Sequence, residues 1–120
     1  MIKEMNGYKV LSKRYRQSCR ANRYMWDMKW SVTYPIKEEV RANVEGSKLF
    51  FFKERDDAIR FSNIVDEIVV PCVAKSVVKI KYIGGYILNL EDFWKKRSKS
   101  KHIMRCPKGT YLAESITCLE

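Results

Sequence analysis

Large apolar residues recur at every second position from residue 24 to residue 34, "YMWDMKWSVTY". Tyr24, Trp26, Met28, Trp30, Val32 and Tyr34 share one side of a two-residue repeat, and Asp27, Lys29, Ser31 and Thr33 share the other. A period of two with aromatic and β-branched types predicts a strand, and Pro35 predicts its end by removing a backbone donor. Six exposed large residues in a row exceed what a soluble surface tolerates, so the rings are expected in the core. Tyr24 is expected to stay partly open for stacking.

The same reading along the chain predicts a short first strand at residues 8 to 12, weakened by Gly7 and Lys9, and either a strand or a short helix over residues 36 to 48. "KLFFF" predicts a further strand. In "KERDDAIRFSNIVDEI", Ala58, Phe61, Val65 and Ile68 fall at spacings of three and four, which predicts a helix whose stripe covers the aromatic row. Glu54, Asp56 and Asp57 in its first turn suit the positive end of the helix dipole. A connector is expected around Pro71, then a strand at 77 to 83. Gly84-Gly85 predicts a hairpin turn pairing that strand with 86 to 90. "LEDFWKKR" predicts a short helix and "KKRSKSKH" a solvated loop, and strands at 103 to 106 and 110 to 118, split by Pro107-Lys108-Gly109, finish the sheet.

The fold class expected is therefore α+β, a mostly antiparallel sheet of about five or six short strands with one main helix packed across one face. At 120 residues the chain suits one domain, residues 1 to 120, able to bury a core without staples. Its 46% hydrophobic and 12% aromatic content is globular rather than disordered. No apolar run reaches the roughly 18 residues of a spanning helix and the start "MIKEMNGYK" has no secretory apolar region, so a cytoplasmic protein without a membrane partner is expected.

Charge changes the picture more than composition does. The net charge is +10, and residues 1 to 30 hold eight Lys/Arg against two acids, residues 31 to 70 six against eight, and residues 71 to 120 ten against four. Two acid-free stretches stand out. One carries Lys13, Arg14, Arg16, Arg20 and Arg23 around Tyr15; the other carries Lys95, Lys96, Arg97, Lys99, Lys101, Arg105 and Lys108. Cations interleaved with rings suit phosphate backbones and unstacked bases, and the Arg-rich stretch suits bidentate contacts. With Tyr24, these residues are the candidate surface for nucleic acid or a nucleoprotein complex. A solvated face serving solubility is the plainer reading of the same charges. Two other partner classes stay open: an acidic protein surface docked with Trp94 or Trp26 as anchor, and a phosphorylated small ligand.

Catalysis finds little support. The single histidine, His102, lies among cations with no nearby carboxylate to orient it, no G-x-G-x-x-G or phosphate loop occurs, and Asp56-Asp57 and Asp66-Glu67 are adjacent pairs that diverge on a helix. A nonenzymatic protein without cofactor is expected. Cys19, Cys72, Cys106 and Cys118 form no C-x-x-C pair, so reduced thiols are the default. A zinc site from His102, Cys106 and Cys118 lacks the usual close ligand spacing.

The run "SKLFFFKERDDAIRFSNI", a strand leading into an R-D-D-A-x-x-F helix, with "EIVVPCVAKSVVKIKYI" and the closing "KGTYLAESI", resembles the build of small accessory proteins encoded by phages and mobile elements. That resemblance implies stoichiometric binding in a host cytoplasm, anti-defence and anti-CRISPR inhibitors of a nuclease or its guide RNA complex included. It assigns a role to no individual residue.

Overall fold

β1 (Ile2–Ser12) is the element on which the sheet closes, and it is much longer than the five residues that local pattern predicts. The structure is a computed structural model that describes residues 2–18, 32–43, 46–62, 65–80, 82–84 and 103–120. Among them β1 is followed by β2 (Glu39–Arg41), β3 (Leu49–Phe52), α1 (Arg55–Phe61), β4 (Glu67–Lys79), β5 (Tyr82–Gly84), β6 (Ile103–Arg105), β7 (Thr110–Ala113) and β8 (Ser115–Cys118). Six strands form one antiparallel sheet in the order β1-β3-β7-β4-β8-β2, and β1 also pairs with β4. The circuit β1-β3-β7-β4 thus returns to its start, while β5 and β6 form a separate two-stranded ladder. The expected mostly antiparallel sheet of about five or six strands is present, but two of its strands, β1 at 11 residues and β4 at 13, are long rather than short.

Alternation assigns the faces. Leu11, Leu49, Phe51, Val70, Cys72, Ala74, Val77, Ala113, Ile116 and Cys118 form the inner cluster, and burying each of its Val, Leu, Ile and Phe side chains stabilises by about 1.5–3 kcal/mol. Their neighbours on the same strands face outward. Val10 and Phe52 pack with Ala58 of α1, and Leu112 packs with Ile80 and Cys106. On β4 the inward positions run 70, 72, 74 and then 77; across the ladder they run 118, 116 and then 113. β4 changes face at Ser76, and the segment opposite changes face at Glu114, between β7 and β8. Ser76 has φ 56° and the Glu114 N–H donates to the Lys75 carbonyl (3.0 Å), a local irregularity of the kind that re-aims side chains along a strand.

β1 closes against β3 through one opposed pair, Tyr8 and Phe52. Gly7 makes that approach possible, because a β carbon there would lie 2.6 Å from two ring atoms of Phe51 and from the Phe52 carbonyl. Pro71 lies inside β4, not in a connector. It opposes Tyr8 on one side, and on the other its carbonyl accepts the N–H of Leu119, just past the end of β8. Its missing donor therefore costs no interior rung of the β4–β8 ladder.

Several expectations are corrected. The helix is seven residues, not sixteen. Ser62 turns extended, its N–H reaching the carbonyls of Ala58 and Ile59 and its hydroxyl donating to Ile59 O (2.8 Å). Val65 is 83% exposed, and Ile68 belongs to β4 opposite Leu11. Pairing with β1 outweighs the helical period there. A helix of this length spans about 10 Å, roughly two strand spacings, and it meets the outside of β1 and β3 through Ala58 and through Phe61, whose ring centroid lies 5.3 Å from that of Phe52. Val32 and Tyr34 are buried and Thr33 is exposed, as the alternation predicts, but they join the inner cluster rather than the helix stripe. Tyr82–Gly84 pairs with Ile103–Arg105. Residues 24 to 31 of the expected 24-to-34 strand, the hairpin partner at 86 to 90 and the helix "LEDFWKKR" lie outside the described residues.

Replacing Gly7 by Ala should lower stability by about 1–3 kcal/mol, the usual cost of overpacking a filled interior. The measurement is a urea midpoint that falls at constant m-value; an unchanged midpoint would show that β1 and β3 have room to separate.

Candidate nucleic-acid interface

Where β1 ends, the chain reverses through a four-residue loop. The Ser12 N–H donates to Gln17 O and the Arg16 N–H to Ser12 O (both 2.9 Å), while the Ser12 hydroxyl accepts from the Gln17 N–H (3.1 Å). Leu11 then faces Ser18, and Gln17 faces Thr33. The segment entering the basic arm is thus the return limb of a hairpin. A second tie holds its base, the Lys13 N–H on the Asp66 carbonyl (2.8 Å).

At the tip Lys13, Arg14 and Tyr15 are all exposed, Tyr15 by 59%. The Arg14 guanidinium carbon lies 5.3 Å from the Tyr15 ring centroid, which keeps a cation and an aromatic face side by side. Arg16 behaves differently. It takes a left-handed conformation (φ 54°), which turns its side chain back toward the body of the protein. Its Nε donates to Tyr34 O (2.9 Å), its Nη2 donates to Glu120 O, and its own carbonyl accepts the Tyr34 N–H (2.9 Å). One cation of the predicted surface is therefore a clamp joining three separated parts of the chain.

Of the remaining predicted site residues, Arg105 lies on β6 opposite Tyr82. Arg20, Arg23, Tyr24, Lys95, Lys96, Arg97, Lys99 and Lys101 lie outside the described residues, as do His102, Trp26 and Trp94. Among the described residues, ion pairs engage cations elsewhere: Lys75 and Arg41 with Glu39 (3.3 and 3.8 Å), and Arg60 with Asp57 (3.5 Å). Lys75, first by hydrogen bond and then by charge, holds the exposed Glu39 carboxyl below its ordinary range.

A polar group inside the sheet escaped the sequence reading. Lys9 is buried on the inward side of β1, its Nζ donating to Phe50 O (2.7 Å) and lying 5.1 Å from the Tyr34 ring centroid. Cys72 and Cys118 share that interior. Burial pushes the Cys72 thiol up to about 12, with Cys118 adding to the rise and Lys9 and the Gly7 backbone opposing it. Burial raises Cys118 as well, against the opposing pull of Lys9 and Arg16. Cys106, in the outer cluster with Ile80 and Leu112, is raised to about 11 by burial. Cys106 and Cys118 thus belong to different clusters, and among the described residues no three His, Cys, Asp or Glu gather as a metal would require. Among those residues, too, no helix is long and apolar enough to cross a membrane. Comparisons with protein-family models, curated proteins and solved structures find no match to the chain.

Arg16→Ala should cost about 1.5–3 kcal/mol, since it removes charge-assisted bonds to two carbonyls, whereas Arg14→Ala should stay within about 0.5 kcal/mol. Equal effects on the urea midpoint would deny Arg16 its clamping role. The raised thiols give a second expectation. Folding favours their protonated forms, so this contribution is complete below the unfolded thiol pKa of about 8.5 and is lost as pH rises toward the folded value. The unfolding midpoint should fall above that pH, and Cys72→Ala should make the slope against pH shallower; an unaltered slope would refute the link.

Proposed function

We propose that this chain is a nonenzymatic binding module that engages nucleic acid or a nucleoprotein complex, with the loop of residues 13 to 15 as its leading contact. One observation carries the reading: two cations and an exposed ring project together from a loop whose base is tied down by backbone bonds and by Arg16. Such a loop loses little conformational freedom on binding, so its contacts are not spent on ordering it. Lys13 and Arg14 supply charge for phosphates, and Tyr15 supplies a face for an unstacked base. Arg16 contributes by holding the loop. Arg20, Arg23, Tyr24, the lysines and arginine of residues 95 to 101 and Arg105 extend the surface in this reading. The excess of cations in both terminal thirds supports it, and stoichiometric inhibition of a host nuclease complex is the role toward which the sequence resemblance points.

The test is a salt titration of binding to single-stranded and double-stranded DNA and RNA. Affinity should fall steeply with salt, because each neutralised phosphate releases condensed counterion. Changing Lys13 and Arg14 to Gln should reduce the slope of log K against log salt by about 1.5, from two contacts at roughly 0.7–0.9 each. The unfolding midpoint should barely move. A flat salt dependence, or a slope indifferent to those two residues, would reject this interface. A complex that survives nuclease digestion would instead identify an acidic protein surface as the partner.

A further inference from the structure

Cys72 of β4 and Cys118 of β8 stand directly opposite one another across an antiparallel ladder, and both are buried in the inner cluster. How near their side chains come depends on which kind of rung they occupy. Opposed residues in such a ladder alternate between pairs that exchange backbone hydrogen bonds and pairs that do not, and side chains approach most closely on the second kind. The Leu119 N–H donates to the Pro71 carbonyl (2.9 Å), so the rung beside the cysteines is a bonded one. The cysteine rung is therefore the unbonded kind. A second bond agrees: the Cys118 carbonyl accepts the Lys37 N–H (2.7 Å) on the far edge of β8, which turns its peptide groups away from β4. On unbonded rungs the Cα atoms lie about 4.5 Å apart, within the span of a disulfide.

We propose that Cys72 and Cys118 are a disulfide-forming pair, oxidised by a small-molecule disulfide such as glutathione disulfide. One cysteine thiolate attacks a glutathione sulfur and releases one glutathione thiolate, leaving a mixed disulfide on the protein. The other cysteine thiolate then attacks the protein-side sulfur and releases the second glutathione. Two electrons pass from the cysteines to glutathione disulfide, and the two thiol protons end on the two glutathione products. Both sulfurs are shut away from solvent and held as thiols, so exchange proceeds while β4 and β8 are apart, during folding or local opening. The bridge closes a long loop, about 46 residues, and so constrains the unfolded chain strongly. The claim concerns the core and is independent of any partner at the loop of residues 13 to 15.

The full chain is unfolded in urea with reductant and refolded in glutathione buffers of increasing oxidised fraction. The unreduced digest is then mapped by mass spectrometry. Expected are a Cys72–Cys118 linkage, a loss of two hydrogens, two remaining titratable thiols, and an unfolding midpoint higher by about 10 °C that reductant abolishes. The folded reduced protein should acquire the same bridge more slowly. Cys118→Ala should lose both the linkage and the response of the midpoint to oxidant. Four titratable thiols after refolding with glutathione disulfide alone, or a bridge through Cys19 or Cys106 in place of this pair, would overturn the proposal, and the wild-type map decides between these outcomes without any variant.

Discussion

The ladder between β1 and β4 is the constraint on which the rest is built. It runs from Ser12 opposite Glu67 to Ile2 opposite Val77 and joins segments more than fifty residues apart. Its formation draws Ile68 out of a helical pattern and into a strand, and it brings Gly7 against Phe51 so that β3 can complete the circuit. Once β3 pairs with β1, and β7 with both β3 and β4, the four strands form a closed circuit of backbone pairing. A sheet that closes in this way leaves less open edge than a flat sheet of the same strand count. The cost is a narrow interior, where a single β carbon at residue 7 has no room.

Closure also makes the two faces unequal. The outer face is shielded locally, by α1 over Val10 and Phe52 and by Ile80 and Cys106 over Leu112. The inner face must be filled by the strands themselves and by what enters from elsewhere, and Val32 and Tyr34 do the entering. The change of face at Ser76 and, opposite it, at Glu114 between β7 and β8 keeps β4 and both of those strands lining that interior. Lys9 is the exception among apolar neighbours, satisfied by the Phe50 carbonyl and by the face of Tyr34. Its positive charge opposes the rise in the two thiol pKa values that burial imposes.

Residues 13 to 16 show how one basic run divides into different tasks. Lys13 and Arg14 point to solvent with Tyr15, while Arg16, one residue further, folds inward because the loop ends in a left-handed conformation there. The same charge that counts toward a cationic surface in composition can belong to the scaffold in space. The rigidity of the loop and its exposed chemistry come from neighbouring residues of the same type, which is why net charge alone does not delimit an interface.

The antiparallel sheet class, the alternation that buries Val32 and Tyr34 around an exposed Thr33, the turn at Pro107-Lys108-Gly109 and the start of α1 at its acidic first turn were all legible in the sequence, because each depends on local periodicity or on backbone restrictions of single residues. Gly7 and Lys9 were legible only as reasons against a strand, since a missing side chain and a charge are unfavourable until a ring and a carbonyl from β3 arrive. The place of Ile68 in β4, the inward turn of Arg16 and the rung shared by Cys72 and Cys118 were decided by tertiary structure. In each case the partner lies far along the chain: β1 against β4, Tyr34 and Glu120 against Arg16, β8 against β4. Local pattern sets which conformations are inexpensive, and the pairing of distant strands selects among them.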